Sequence, residues 1–171
     1  VMIVLERMSG EAVAQALGVQ KRAVLTASTG VIGSRLPVQK VLDALPALAE
    51  QLGDRADLAA EAIMTTDARP KLASREVVVG GKSATVAAIC KGSGMLAPQL
   101  ATMICVVVTD VAVTPKVLQE ILGRSGKRTF EMLTVDGDMS TNHSLGAPAN
   151  GLARDPRITQ AIAKAGTRAH V

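Results

Sequence analysis

The sequence predicts an α/β fold of the α+β kind, in which strands and helices are interspersed along the chain. Three observations carry that expectation. "REVVVGGKSATVAAIC" (75–90) holds two runs of small and β-branched residues around Gly80-Gly81, the pattern of a β-hairpin. "MICVVVTD" (103–110) is a continuous apolar run of strand length. Val38, Val41, Leu42, Leu45, Leu48 and Leu52 recur at helical spacing.

The elements follow in chain order. Residues 1–7 read as a strand already in progress, which points to a chain cut from something longer. Ser9 is placed to cap a helix over 10–17, ended by Gly18. "RAVLTAS" (22–28) reads as a short strand, and "TGVIG" (29–33) as a glycine turn. Pro37 opens the leucine-rich helix, a favoured first-turn position, and Pro46 is expected to kink or divide it. Asp54 starts a second helix to about Met64. After the hairpin and the 103–110 strand, Thr114-Pro115 begins a helix to about Leu122. Residues 128–136 mix helix and strand signals. "STNHSLGAPANGLA" (140–153) reads as a helix with a fault at Pro148, and the tail from Asp155 as weakly helical or disordered.

Composition narrows the function. The formal charge is +4, from 19 basic and 15 acidic residues, but the basic residues are scattered. Phe130 is the single aromatic, so a stacking platform for nucleic acid is missing, and no nucleic-acid partner is expected. Cys90 and Cys105 sit in apolar runs without metal-ligand spacing around them, as reduced thiols of a cytoplasmic protein. No apolar run reaches the ~18 residues of a membrane span, and the opening apolar run is too short for a signal peptide, so no membrane partner is expected.

Two phosphate- or metal-like motifs fail on inspection. "GGKS" (80–83) resembles the end of a phosphate loop, but the first glycine of that motif falls at Glu76, and the flanks read strand-turn-strand. "DGDMSTN" (136–142) begins like a calcium loop, yet Thr141 and Ala147 occupy the positions that require glycine and glutamate. His143 and His170 lie far apart, and no Ser-His-Asp or zinc constellation can be placed. No cofactor and no metal are expected.

That leaves "KGSGMLAPQLATM" (91–103), a glycine-broken, nearly uncharged stretch that runs into a strand. A threonine hydroxyl is a poor nucleophile without an adjacent base. One remedy is to make it a chain terminus, whose α-amine (pKa about 8) takes the proton. Thr102, preceded by small Ala101 and by Gly92, Gly94 and Pro98, is a candidate for such internal cleavage. The ordinary alternative is a threonine serving only as a strand former.

Four segments in order, "STGVIGSRLP" (28–37), "AIMTTDARPK" (62–71), "KGSGMLAPQLATM" (91–103) and "TVDGDMSTN" (134–142), resemble the ornithine acetyltransferases, the glutamate N-acetyltransferases of arginine biosynthesis. The resemblance covers most of residues 22–152 and implies a layered α/β sandwich with mixed sheets. It implies self-cleavage at Ala101–Thr102 into a residue 1–101 portion and a residue 102–171 portion that remain together as one structural domain and assemble further. It implies Thr102 as the nucleophile, Thr29 and Gly30 as oxyanion stabilisers, and Thr65, Lys91 and Thr102 as substrate-binding residues. The implied substrates are N-acetylornithine and glutamate, with acetyl-CoA a further candidate donor. A fixed cation at Lys91 suits the substrate carboxylates.

The chain departs from the family at His143 (usually Asp), Glu131 (usually Asn) and Ala68 (commonly Thr). Family members extend past both ends, so a portion or a truncated relative is expected. Two other readings stand beside the transferase: a threonine-nucleophile amidase or aminopeptidase, and an inactive relative acting as an interaction module.

Overall fold

The computed structural model describes residues 2–30, 33–94, 103–133, 144–154 and 156–159. The chain forms two compact units, Val1–Arg55 and Ala56–Val171.

The first unit contains helix α1 (Met2–Ala16), a 3₁₀ turn (Lys21–Ala23) and helix α2 (Val38–Glu50). The strand expected over residues 1–7 is helical instead. Its few β-branched residues are outweighed by the run of good helix formers that follows (Leu5, Glu6, Arg7, Met8, Glu11, Ala12), so α1 starts before Ser9. Gly10 lies inside α1 because the helix is closely approached there: a methyl group at Gly10 would stand 3.3 Å from Thr26 Cγ2. Gly18 ends the helix as expected. At φ 63° it donates to the Gln15 carbonyl (3.3 Å), and Val19 N donates to the Ala14 carbonyl (3.0 Å), which satisfies two terminal carbonyls.

The expected strand over 22–28 is also corrected. Val24 is extended (φ −98°, ψ 121°), but among the described residues no strand pairs with this segment. Extended backbone becomes a strand only when a neighbour supplies the ladder. Helix α2 starts after Pro37 as predicted and runs through Pro46 undivided. Tertiary contact offsets the missing bond: α2 packs on α1, and Val13, Leu17, Leu45, Leu48 and Leu52 line an apolar cavity of about 130 Å³.

The second unit is a mixed four-stranded sheet in the order β1-β2-β3-β4, with helices α3 and α4. Helix α3 (Ala56–Ala62) contacts β1 and β2 and buries Ala60. Strands β1 (Lys71–Val79) and β2 (Lys82–Lys91) are antiparallel, closing at Val79↔Lys82. The turn has φ 56° at Gly80 and 81° at Gly81, the two positive angles that a type I′ hairpin requires. Strand β3 (Ile104–Thr109) pairs antiparallel with β2, and β4 (Ser144–Gly146) runs parallel to β3. At the far end of the β2–β3 pair, Thr85 N donates to Asp110 Oδ1 (2.6 Å) and Thr109 Oγ1 donates to the Thr85 carbonyl (2.7 Å).

The helix expected over 140–153 is replaced, where described, by β4 and an edge segment. Pro148 has no N–H to give a helix, and the chain bonds to β3 instead: Thr109 N donates to the Pro148 carbonyl and Asn150 N to the Thr109 carbonyl, both at 3.2 Å. Helix α4 (Pro115–Arg128) begins as predicted, with the Thr114 hydroxyl accepting from Val117 N at 3.4 Å. It continues beyond Leu122, and its buried Gly126 faces Leu145. Residues 130–132 of the ambiguous segment form a 3₁₀ turn. Of the tail expected to be weakly helical or disordered, residues 156–159 are not helical and Ile158 bridges Val113; the remainder lies outside the described residues.

The core of this unit gathers Met103 and Cys105 with Cys90, Val107, Leu145 and Phe130, the chain's one aromatic. Among the described residues, no helix is long and apolar enough to cross a membrane, and no group of three or more His, Cys, Asp and Glu residues is placed to hold a metal ion.

Candidate active site

Lys91 ends β2 and is only 3% exposed. Strand alternation puts it on the face opposite Cys90. No carboxylate among the described residues pairs with its ammonium. Its register partner is Ile104 on β3. The connection from 92 to 103, which contains Ala101 and Thr102, therefore leaves and rejoins the sheet at neighbouring backbone positions.

Both ends of that connection are fixed. Met103 is 3% exposed, and its carbonyl accepts from Ser144 N at 2.9 Å. At the other end Gly92 is gripped by Asp67 and Lys71. Asp67 Oδ1 accepts from Gly92 N at 2.9 Å and from the Lys71 ammonium, which also donates to the Gly92 carbonyl at 3.0 Å. Asp67 Oδ2 accepts from Thr65 N at 3.4 Å. The Asp67 side chain is fully enclosed. Burial opposes its ionisation. The hydrogen bonds from Lys71, Gly92 N and Thr65 N, with the Lys71 charge, outweigh that and hold its carboxyl below the usual aspartate range.

The structure thus brings Thr65 and the Lys91-Gly92 end of β2 to one carboxylate. Thr65 itself is exposed just beyond α3. Asp67 and Lys71 were not singled out by sequence reasoning. The available signal was an acid–base pair four residues apart around Pro70 in the 62–71 segment. Nothing local showed that the pair would close on Gly92, 25 residues away. Thr29 and Gly30 belong to the first unit, Thr29 half-buried and Gly30 exposed, and a Cβ added at Gly30 would meet nothing within 4 Å. Ala101 and Thr102 lie outside the described residues, as does His143. Glu131 is half-buried in the 3₁₀ turn and Ala68 is exposed.

Residues 5–169 match the model of the ArgJ family, and the chain belongs to that family. It is similar to the arginine biosynthesis bifunctional protein ArgJ of Thermosynechococcus vestitus, 46% identical over 149 residues, covering 86% of this chain and 36% of that protein. The protein of the same name from Geobacter sulfurreducens is 44% identical over 149 residues (86% and 38%), and that from Pseudomonas syringae pv. tomato is 45% identical over 160 residues (93% and 40%). The chain spans 36–40% of the length of these three curated relatives. The crystal structure of the Bacillus halodurans protein is 31% identical, with a TM-score of 0.49 over 57% of this chain and 50% of that one.

Proposed function

We propose that this chain carries the nucleophile, the oxyanion donors and part of the substrate surface of a threonine-dependent N-acetyltransferase that moves acetyl from N-acetylornithine to glutamate. The observation that carries this reading is Lys91: a buried cation, unpaired by any carboxylate among the described residues, at the mouth of the 92–103 connection. A buried charge is costly unless something pairs with it. Both amino-acid substrates bring a carboxylate. Thr65, whose N–H donates to the Asp67 carboxylate that also holds Gly92 N beside Lys91, stands as the second anchor.

In this mechanism the Thr102 hydroxyl first attacks the Ala101 carbonyl. The peptide C–N bond breaks, its nitrogen takes the hydroxyl proton, and an ester links Ala101 to the Thr102 oxygen. Water cleaves the ester, leaving residues 1–101 with a carboxylate and residues 102–171 with a terminal threonine. The clamp at Gly92 and the buried Met103 hold the two sides of the break in the fold. The free amine of Thr102 then accepts the hydroxyl proton as the oxygen attacks the acetyl carbonyl of N-acetylornithine. Thr29 and Gly30 receive the developing oxyanion, and one such donor is worth about 3 kcal/mol in the barrier. Ornithine leaves protonated, and the glutamate amine takes the acetyl group from Thr102 in the second half of a ping-pong cycle. The two pieces stay associated and assemble further in the cytoplasm, with acetyl-CoA as a further donor.

The test is transfer of labelled acetyl from N-acetylornithine by the full chain, with and without glutamate. Labelled N-acetylglutamate, formed far more slowly by Lys91→Met at the same donor concentration, is the expected result. Acetate released equally well without glutamate would make the protein an amidase. Failure to label the chain at all would contradict both.

A further inference from the structure

The two cysteines face each other. Cys90 on β2 and Cys105 on β3 are direct register partners in an antiparallel pair, so their side chains leave the same face of the sheet. Directly opposed antiparallel residues have Cα atoms about 4.5 or 5.5 Å apart, depending on whether the pair is hydrogen-bonded. Either spacing lies inside the roughly 4.4–6.8 Å range of disulfides, so the strand register is compatible with a bond between them. Both residues are free thiols. Both line a cavity of about 470 Å³ whose wall includes Lys71, Arg69 and Phe130. Cys90 is half-exposed and Cys105 buried at 2%.

We infer that Cys90 and Cys105 form a peroxide-reactive dithiol site, in which Cys90 is attacked first and Cys105 resolves it to a cross-strand disulfide. The inference does not depend on the acetyltransferase reading. In the first step the Cys90 thiolate attacks a peroxide oxygen, the O–O bond breaks, and Cys90 sulfenic acid and an alkoxide or hydroxide result. In the second step the Cys105 sulfur attacks the Cys90 sulfur. Its proton and the sulfenic hydroxyl leave as water, and the disulfide forms. Sulfur is oxidised and peroxide reduced.

The order of events follows from the surroundings. The neighbouring Cys105 thiol favours the Cys90 thiolate and outweighs its burial; the charges of Lys71 and Lys91 act in the same direction, against that of Asp67 and the long 3.9 Å contact from Cys90 Sγ to the Lys91 carbonyl. The same contact, with burial and the Cys90 charge, pushes the Cys105 thiol up. A thiol with a lowered pKa, open to a cavity and beside a second thiol, is the usual arrangement of an oxidation-sensitive cysteine. Once Cys90 is a neutral sulfenic acid, its charge no longer opposes ionisation of Cys105.

Position gives the bond a consequence. Cys90 precedes Lys91, Cys105 follows Met103, and the Ala101–Thr102 bond lies between them in the chain. In a cleaved chain the disulfide joins residues 1–101 to residues 102–171 covalently.

The test treats the full chain with hydrogen peroxide, blocks remaining thiols with N-ethylmaleimide and measures intact and peptide masses. Wild type should lose two hydrogens, gain no maleimide, and yield one dithiothreitol-reversible peptide pair holding Cys90 and Cys105. Cys105→Ser should stop at a dimedone-trappable sulfenic acid on Cys90, and Cys90→Ser should resist the same dose, with circular dichroism melts checking that both variants fold. In a cleaved sample the two pieces should co-migrate on a non-reducing gel and separate on reduction. Two maleimide-reactive thiols remaining after peroxide, first reaction at Cys105, or Cys90 sulfinic acid without a linked peptide would each overturn the inference. The loss of two hydrogens reads the dithiol even in an uncleaved chain, so failure of self-cleavage and failure of the dithiol are distinguishable.

Discussion

Replacing Asp67 by asparagine keeps the size of the clamp and removes its charge. In the native chain Oδ1 receives Gly92 N and the Lys71 ammonium, and Oδ2 receives Thr65 N. Asparagine has one carbonyl oxygen. Directed at Gly92, it leaves its amide nitrogen against Thr65 N, donor against donor. The Gly92 bond falls from a charge-assisted to a neutral one, a loss of about 1 kcal/mol. The Thr65 N–H loses an acceptor that was already long at 3.4 Å, about another 1 kcal/mol. The Lys71 pair adds less than about 1 kcal/mol, because the Lys71 side chain is 42% exposed and screened by water. The expected total is about 2–3 kcal/mol, read by urea unfolding at pH 7 with an unchanged slope. The carboxyl is held below its unfolded value, so its contribution is present above the ordinary aspartate pKa and lost as pH falls through the lower folded value. The gap between wild type and Asp67→Asn should therefore be full at neutral pH and close in acid. A penalty below about 0.5 kcal/mol, or one that acid leaves unchanged, would refute the clamp as described.

Other substitutions probe separate parts of the account. Gly80→Ala should lower stability by at least about 1–2 kcal/mol for the positive φ alone, and a Cβ there would also stand 2.6 Å from Pro156 Cγ. Gly81→Ala, with nothing within 4 Å, should show only the backbone part in the same melt. Lys91→Met should keep or raise the melting temperature while raising KM for N-acetylornithine, since it removes a buried charge and a substrate anchor together. Thr29→Ala should lower kcat roughly 100-fold without moving the melting temperature, if its hydroxyl serves the oxyanion.

The sequence showed the second unit more clearly than the first. The hairpin was legible because Gly80-Gly81 supplies two positive φ angles between β-branched runs, and β3 because its apolar run has strand length. Thr114-Pro115 marked the start of α4 through a local cap. What failed was non-local. Residues 22–28 have strand composition, but no neighbour pairs with them among the described residues. Residues 144–146 have helix-neutral composition, yet lie along the edge of β3. At the site, Thr65 and Lys91 came from family likeness. Their physical link through Asp67 required the fold, because the Gly92 contact spans 25 residues.

The most direct test of the acyl-transfer account is the intact mass of the purified chain beside that of Thr102→Ala, before and after N-acetylornithine. Two pieces with the masses of residues 1–101 and 102–171 are predicted for the native sequence, the second gaining one acetyl group on its first residue. The variant is predicted to stay whole. A native chain that remains unbroken, or a variant that still splits between positions 101 and 102, would contradict the account.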